Sequence, residues 1–314
     1  MFEFLFNATQ FADFLSTGFR LSVPIAFAAL GGVLCEKSGV FNVALEGQLL
    51  FGAFAAAVGS HFMGGAAGGI MLALVVGALS GVLISVLGIT MRVNQIVVGI
   101  AIILLSSGMT SFLSRVVFPQ GSNSLTLDGF RPIPIPYLSD IPILGRVLFS
   151  HDLLAYSVVV VAVVAHLVLK YTSLGLAIRA TGESPAAADS SGVPVFAIRY
   201  GCVIVGSMLA AVGGAYIVLS QVFLFSDNMT NGKGFIALAA IVLGRWSPLA
   251  ILLACILFGT FDGFQLRLQA LQPNVPFQLF AALPYVIAIL ALVGFIGEIR
   301  APAAVGRFYD REMR

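Results

Sequence analysis

Long apolar runs with almost no charge constrain this chain more than any other feature of its sequence. A helix that crosses a lipid bilayer needs about 20 mostly apolar residues. Only 10% of the 314 residues are charged, whereas soluble domains carry roughly 25%. Eight apolar runs meet this requirement: Leu21–Leu34, Val40–His61, Met63–Met91, Val93–Ser114, Leu153–Leu169, Tyr200–Ser226, Trp246–Phe261 and Leu268–Gly297. The first reaches the length by extending past Arg20, whose long side chain can snorkel. The seventh reaches it by extending past Asp262.

A ninth apolar piece, Gly234–Gly244, has only half the length of a span, with glycines or charges on both sides. Broken backbone at membrane depth is tolerated only against protein or a water-filled cavity. We therefore predict an all-α polytopic integral membrane protein with eight to nine transmembrane helices, one of them short or broken. The whole chain, 1–314, is expected to form one transmembrane domain.

The positions of lysine and arginine predict which connections face the cytoplasm. Cytoplasmic connections are enriched in these residues, although long loops weigh less in this rule. Alternating spans bring one basic set to one side: Lys37, Arg92, the loop 171–199, Arg245 and the tail 298–314. The loop 115–151 falls on the other side. We expect a cytoplasmic C-terminus and an outer N-terminus, provided that Gly234–Gly244 crosses with its flanks.

The loop 171–199 is an island of charge and helix-breaking residues between apolar segments. Gly182, Pro185, Gly192 and Pro194 surround a run of alanines. This pattern is typical of a short structured turn rather than a solvated linker. We interpret it as a cytoplasmic surface offered to a partner that supplies energy.

Glu46 is the most informative single residue, because an ionisable group at membrane depth costs about 2.5–3.5 kcal/mol on insertion scales. Asn42 lies one helical turn before it, so the two are predicted to share a helix face. Two interpretations remain open. Glu46 lines a transport pathway, or it is structural and helps to cap a helix that begins at Asn42.

Polar residues and glycines cluster in Ser226–Ala240, just before the short apolar piece. A helix N-terminus beside glycines offers backbone N–H groups to a ligand. Asn228 and Thr230 could bind a hydroxylated solute, and Phe235 could meet a ring face. Lys233 is not followed by Ser or Thr, which excludes a nucleotide-hydrolysis loop.

Two further polar features have simple structural interpretations. Asn94 and Gln95 open the fourth span and are typical of a helix N-terminal cap. Arg245 and Trp246, followed by Pro248, form a tight basic turn that is interpreted as an interfacial anchor.

The titratable residues argue against an enzyme. The three histidines and three cysteines are scattered without metal-ligand spacing. No Gly-x-Ser-x-Gly motif is present. A net charge of +2 is too small to indicate nucleic-acid binding. We expect no cofactor, no metal and no catalytic residue.

Two segments indicate a weak internal repeat, GVFNVALEGQLLFG (Gly39–Gly52) and GKGFIALAAIVLG (Gly232–Gly244). Both contain an aromatic residue, an Ala-Leu pair and a later glycine. Faint internal symmetry of this kind is typical of transporter repeats.

Four motifs resemble a known family of importer permeases. They are GGVLCEKSGVFNVALEGQLLFGAFAA, NQIVVGIAIILLSSGMTSFL, LGLAIRATGESPAAADSSGV and GKGFIALAAIVLGRWSPL. In this order they resemble the ABC-importer permeases for branched-chain amino acids, ribose and other simple sugars. The chain looks most like the shorter permease of nucleoside (guanosine-type) importers, and the resemblance covers about Gly18 to Ile299.

The resemblance implies a permease subunit without its own ATPase, in a prokaryotic inner membrane. The implied partners are a second homologous permease, a cytoplasmic ATPase, an extracytoplasmic substrate-binding lipoprotein and membrane lipid. The family's coupling loop matches Gly182, Glu183, Pro185, Ala187, Asp189 and Gly192. Implied pathway positions are Asn42, Glu46, Asn94, Gln95, Asn228, Thr230 and Phe235.

Alternatives remain at this point. A simple-sugar permease of the ribose type shares much of the same pattern. An ion-coupled secondary transporter would need Glu46 or Asp262 to titrate within the path. A purely structural membrane scaffold would tolerate substitution of Asn228 or Thr230 without loss of uptake.

Overall fold

The computed structural model describes residues 8–118, 127–133, 149–271 and 301–310, with the single positions 136, 141, 145, 147, 282, 286 and 289. Every regular element in this part of the chain is helical. The helices are α1 (Ala8–Lys37), α2 (Leu45–Phe62), α3 (Ala66–Ser85), α4 (Gln95–Val117), α5 (Leu153–Tyr171), α6 (Ser173–Glu183), α7 (Pro185–Ser190), α8 (Val195–Tyr216), α9 (Lys233–Leu243) and α10 (Pro248–Leu271). Short π-helical segments, Val86–Thr90 and Ile217–Val222, extend α3 and α8.

The described helices confirm the all-helical, multi-span class but not the predicted number of spans. Six segments among the described residues are long and apolar enough to cross a membrane: Gln10–Lys37, Ala66–Thr90, Gln95–Val117, Leu153–Tyr171, Val195–Val222 and Pro248–Gln269. The predicted run Leu268–Gly297 lies mostly outside the described residues. The predicted eight to nine spans are therefore not confirmed.

Helices α1 and α8 cross at the centre of the bundle. In their most apolar windows, 83% and 78% of the residues are buried, against 28% for α4, which lies at the periphery. Their backbones touch, since a Cβ atom on Gly31 would lie 2.2 Å from the carbonyl oxygen of Gly206. Small residues permit this approach, as is usual where helices pack in lipid.

Each central helix leads into a shorter helix through a non-helical connection. Residues 38–44 join α1 to α2, and residues 223–232 join the π-helical end of α8 to α9. Helix α9 has 11 residues, so it is about 16 Å long. That is half of a hydrocarbon core about 30 Å thick. The predicted short helix over Gly234–Gly244 is therefore present.

One end of the bundle gathers the basic connections. The amide of Gly306 donates to the carbonyl oxygen of Gly39 at 3.2 Å, and Arg92 forms an ion pair with Asp310. At the opposite end, the hydroxyl of Ser60 donates to the backbone oxygen of Asp128. The four segments that meet at the first end are 38–44, 91–94, 172–194 and 301–310.

Substitution of Gly206 by valine should destabilise the bundle, because the added side chain collides with the backbone of α1. Overpacking of this kind costs about 1–3 kcal/mol. The matched control is Gly201→Val in the same helix, where an added Cβ meets no atom within 4 Å. Thermal unfolding of the detergent-purified proteins measures the difference. Equal midpoints for the two variants would contradict the packing at the centre.

Candidate functional site

The carboxylate of Glu46 is the centre of a cluster that joins α2 to the start of α9. It accepts three hydrogen bonds from one short stretch of chain. The hydroxyl of Thr230 donates to Oε1 at 2.6 Å, and the amide of Gly232 donates to the same oxygen at 2.8 Å. The amide of Gly234 donates to Oε2 at 2.7 Å. Both oxygens of the carboxylate are therefore used.

Helix α9 takes its N-terminal cap from another helix. Its own N-cap residue is Gly232, with a left-handed φ of 80° and no capping side chain, a conformation that favours glycine. The first amides of a helix lack partners within it, and Glu46 supplies the acceptors. Its negative charge also lies at the positive end of the α9 dipole, which is stabilising.

Gly234 permits the N-termini of α2 and α9 to meet. A Cβ atom at this position would lie 2.3 Å from the backbone nitrogen of Glu46. A larger residue would force the two helices apart and break the hydrogen bonds to the carboxylate. Glycine is therefore a structural requirement of the convergence.

The hydrogen bonds of Glu46 bear on two interpretations drawn from the sequence, the free amides at the start of α9 and the capping role of Glu46. The amides of Gly232 and Gly234 donate to Glu46, so they are not free to bind a ligand as predicted. Glu46 does have a capping role, but toward α9 rather than toward a helix that begins at Asn42.

Asn42 belongs to a separate buried network. The prediction that it shares a helix face with Glu46 is wrong, because α2 begins only at Leu45. Its side-chain amide donates to Oε1 of Gln48 at 3.1 Å, and Gln48 donates to the hydroxyl of Ser207 at 2.7 Å. Only 1% of the Asn42 surface is exposed. This network ties the 38–44 connection to α2 and α8.

A second carboxylate holds the other end of α9. Glu36, buried near the end of α1, accepts a hydrogen bond from the indole nitrogen of Trp246. Trp246 is itself buried, so the interpretation of an interfacial anchor does not hold for it. Sequence reasoning missed Glu36 because it lies beside Lys37, where a charge at a helix end is ordinary.

Asn94 and Gln95 connect α4 to the same region. The Asn94 side chain accepts from the amide of Ile96 at 2.9 Å, as expected of an N-cap. Gln95 is buried, and its Oε1 accepts from the amide of Phe41 at 2.7 Å. Gln95 therefore fastens α4 to the 38–44 connection.

The exposed part of the cluster lies on the 223–232 connection and the first turn of α9. Asn228 is exposed and accepts from the hydroxyl of Ser107 at 2.8 Å, while Phe235 is 46% exposed. Lys233 pairs with Asp262 of α10 at 3.0 Å. Thr230 is buried beneath them. An aromatic face and an amide are thus accessible beside a charge cluster that is already paired.

The six predicted coupling residues lie on α6, α7 and the turn after them. Pro185 begins α7, where its fixed φ suits the first helical position. Ala187 and Gly192 are exposed, so they form part of an open surface of small residues.

The other three predicted coupling residues contact this chain itself. Gly182 is packed against the backbone oxygen of Lys37, and its own carbonyl oxygen accepts from Ala304 at 2.9 Å. Glu183 accepts from the amide of Ala303 at 3.3 Å. Asp189 accepts from the hydroxyl of Tyr309 at 2.9 Å.

Comparison with known proteins identifies the family. Residues 14–297 match the model of the permease component of branched-chain amino acid transport systems. The chain belongs to this permease family. No solved structure matches it.

Three relatives of the permease align over almost their whole length. The guanosine ABC transporter permease protein NupQ of Bacillus subtilis is 35% identical, over 93% of this chain and 95% of the relative. The nucleoside ABC transporter permease protein NupC of Lactococcus lactis is 34% identical, over 92% and 93%. A candidate glucose ABC transporter permease of Haloferax volcanii, TsgC13, is 32% identical, over 96% and 98%. The first two bacteria also have a second, more distant relative of this permease, NupP and NupB respectively.

Replacing Glu46 by glutamine should loosen the start of α9. An amide offers one acceptor oxygen where the carboxylate uses two, and it points a donor at a backbone amide. A buried donor left without a partner costs about 1–3 kcal/mol. Hydrogen exchange at residues 232–236 should become faster than in the native protein. Thr230→Val, which removes one of the three hydrogen bonds, should give a smaller increase, and unchanged exchange in Glu46→Gln would contradict the capping role.

Proposed function

We propose that this chain is the shorter of two permease subunits in an ATP-binding-cassette importer for nucleosides. A separate cytoplasmic ATPase supplies the energy, and an extracytoplasmic binding lipoprotein delivers the solute. The observation that carries the proposal is the full-length similarity to NupQ and NupC, together with the open small-residue surface at α7. The paired permeases of the same two bacteria support a heterodimeric pore.

The membrane topology proposed here has nine crossings. Six crossings are the long segments, and α2 and α9 with its preceding connection are two more. The ninth is the run Leu268–Gly297 that the sequence predicts, which lies mostly outside the described residues. The basic end of the bundle then faces the cytoplasm, with both α7 and the segment 301–310. This follows from the excess of Lys and Arg in those connections.

We infer an inverted internal repeat from the same topology. In it α1, α2 and α3 correspond to α8, α9 and α10, with opposite directions through the membrane. Central α1 and α8 then occupy equivalent places, and each precedes a connection that leads into a shorter helix at membrane depth. Transporter repeats of this type bind solute near such breaks, which supports a pathway beside the start of α9.

We infer that the solute meets the exposed Phe235 and Asn228, while Glu46 holds the site in shape. A nucleoside has a flat base that can stack on an aromatic ring and hydroxyls that can bind an amide. Glu46 already accepts three hydrogen bonds, and Asp262 is paired with Lys233. Neither carboxylate is therefore placed as a free ion carrier, which disfavours a secondary transporter.

A simple-sugar substrate is the second candidate. It is favoured by the similarity to the Haloferax volcanii protein, whose name describes a glucose permease. A sugar would use the same amide and hydroxyl groups but would gain less from an aromatic ring. The two candidates therefore differ in how strongly transport depends on Phe235.

Replacing Phe235 by alanine should lower guanosine uptake by roughly tenfold, because stacking of a base on an aromatic ring is worth about 1–3 kcal/mol. Uptake is measured in vesicles that contain the complete importer and an ATP-regenerating system. The control is Phe112→Ala on α4, where the ring is 67% exposed and faces away from the bundle. Glucose and ribose are tested in parallel. Transport of a sugar but not of guanosine would favour the second candidate.

The energy source is tested separately in the same vesicles. Uptake by the native importer and by its Glu46→Gln variant should not change when the membrane potential is collapsed, since ATP drives the cycle. Uptake by the purified permease without an ATPase would contradict the proposal.

A further inference from the structure

The segment 301–310 lies across the basic end of the bundle and contacts four other parts of the chain. We propose that it is a positioning strap, which transmits movement of the α7 region to the connection 38–44 and so to the cluster around Glu46. This inference rests on the proposed function, since it assumes that an ATPase docks at α7.

The strap is bonded directly to the predicted coupling surface. Its Ala303 and Ala304 amides donate to Glu183 and to the carbonyl oxygen of Gly182. Tyr309 donates to Asp189 on α7 at 2.9 Å. The coupling surface is therefore fastened to the strap at the end of α6 and again on α7.

Tyr309 also forms part of the apolar support beneath α7. Its side chain is buried and packs in one cluster with Ala188 of α7 and Val195 at the start of α8. Helix α7 has only six residues and presents small residues outward. A partner that pressed on this outer face would displace Ala188 toward the Tyr309 ring, so the strap would have to move with it.

The other contacts of the strap lead to the core of the permease. The Gly306 amide donates to the carbonyl oxygen of Gly39 at 3.2 Å. Arg199 of α8 bridges the strap and the 38–44 connection. It donates to the backbone oxygens of Ser38 and Arg307, both at 3.2 Å. Its side chain is only 2% exposed, so this bridge is shielded from water.

A further ion pair links the strap to the start of α4. Arg92, in the turn before α4, pairs with Asp310. The α4 helix also reaches the 38–44 connection through Gln95 and Phe41. Three routes thus run from the strap to this connection, through Gly39, through Arg199 and through Arg92.

The connection 38–44 ends one residue before α2, which carries Glu46. A displacement of Gly39 therefore reaches the start of α2 within a few residues. The carboxylate of Glu46 holds the first turn of α9 through three hydrogen bonds. Each link between α7 and the candidate site is a contact present in this structure.

The first test removes one hydroxyl. In the complete importer, Tyr309→Phe keeps the buried ring but cannot bond Asp189. Loss of one such hydrogen bond corresponds to about a fivefold change in an equilibrium. We expect guanosine imported per ATP hydrolysed to fall about fivefold, while the ATPase still co-purifies with the permease. Tyr156→Phe is the matched control, because it removes a hydroxyl that bonds the backbone of His151 and Ile133 at the opposite end of the bundle and should leave the ratio unchanged.

The second test uses the ion pair and a rescue. Arg92→Glu places two like charges together and should lower the same ratio. Combining it with Asp310→Arg restores opposite charges and should recover most of the loss. If the ion pair were merely structural, Arg92→Glu would lower the amount of folded protein. The double variant would then show no charge-dependent recovery of imported solute per ATP.

The outcomes separate the inference from the proposed function. If no ATPase binds the native permease, both fail. If the native importer works and Tyr309→Phe matches Tyr156→Phe, with no effect of Arg92→Glu, only the strap is excluded. Loss of ATPase binding in Tyr309→Phe would also overturn the inference, because the segment would then serve docking rather than transmission.

Discussion

The capping of α9 by Glu46 is the interaction on which the arrangement of this permease depends. An apolar helix of 11 residues is too short to cross a bilayer alone, and its first amides have no partner within the helix. A buried polar group left without a partner costs about 1–3 kcal/mol. One carboxylate accepts two of these backbone donors and a hydroxyl. Its negative charge is in turn stabilised by those donors and by the helix dipole, so the short helix and the half-buried charge stabilise each other.

The apolar runs predicted the helices well because their signal is local. Glu46, Asn94 and the glycines before α9 were also recognisable, since each stands out in an apolar or turn context. The partners were not predictable. Glu46 meets Thr230 and Gly234, which are more than 180 residues away in the sequence, and Glu36 meets Trp246, 210 residues away. No spacing rule connects such pairs, because the packing of α1 and α8 brings them together.

The start of α2 was mispredicted for a related reason. Asn42 and Glu46 have helical spacing, and nothing in the local sequence prevents a helix there. In the structure Asn42 bonds Gln48 and the amide of Ala44 instead, so residues 43–44 form a turn and the helix begins only at Leu45. A buried side-chain network outweighs the local preference at these positions. The same network holds the non-helical connection between α1 and α2 against α2 and α8.

Helix α9 is held at both ends by residues that flank the 38–44 connection. Glu36 comes just before this connection and binds the turn after α9, and Glu46 comes just after it and binds the first turn of α9. The connection cannot shift as a unit without pulling on both ends of the short helix. Because the segment 301–310 is bonded to Gly39 within the same connection, the basic end of the bundle and the cluster around Glu46 share one piece of backbone. The proposed solute site, whose shape is set by a short helix anchored at both ends, can therefore respond to a force applied at the basic end, without any charge having to move through the lipid.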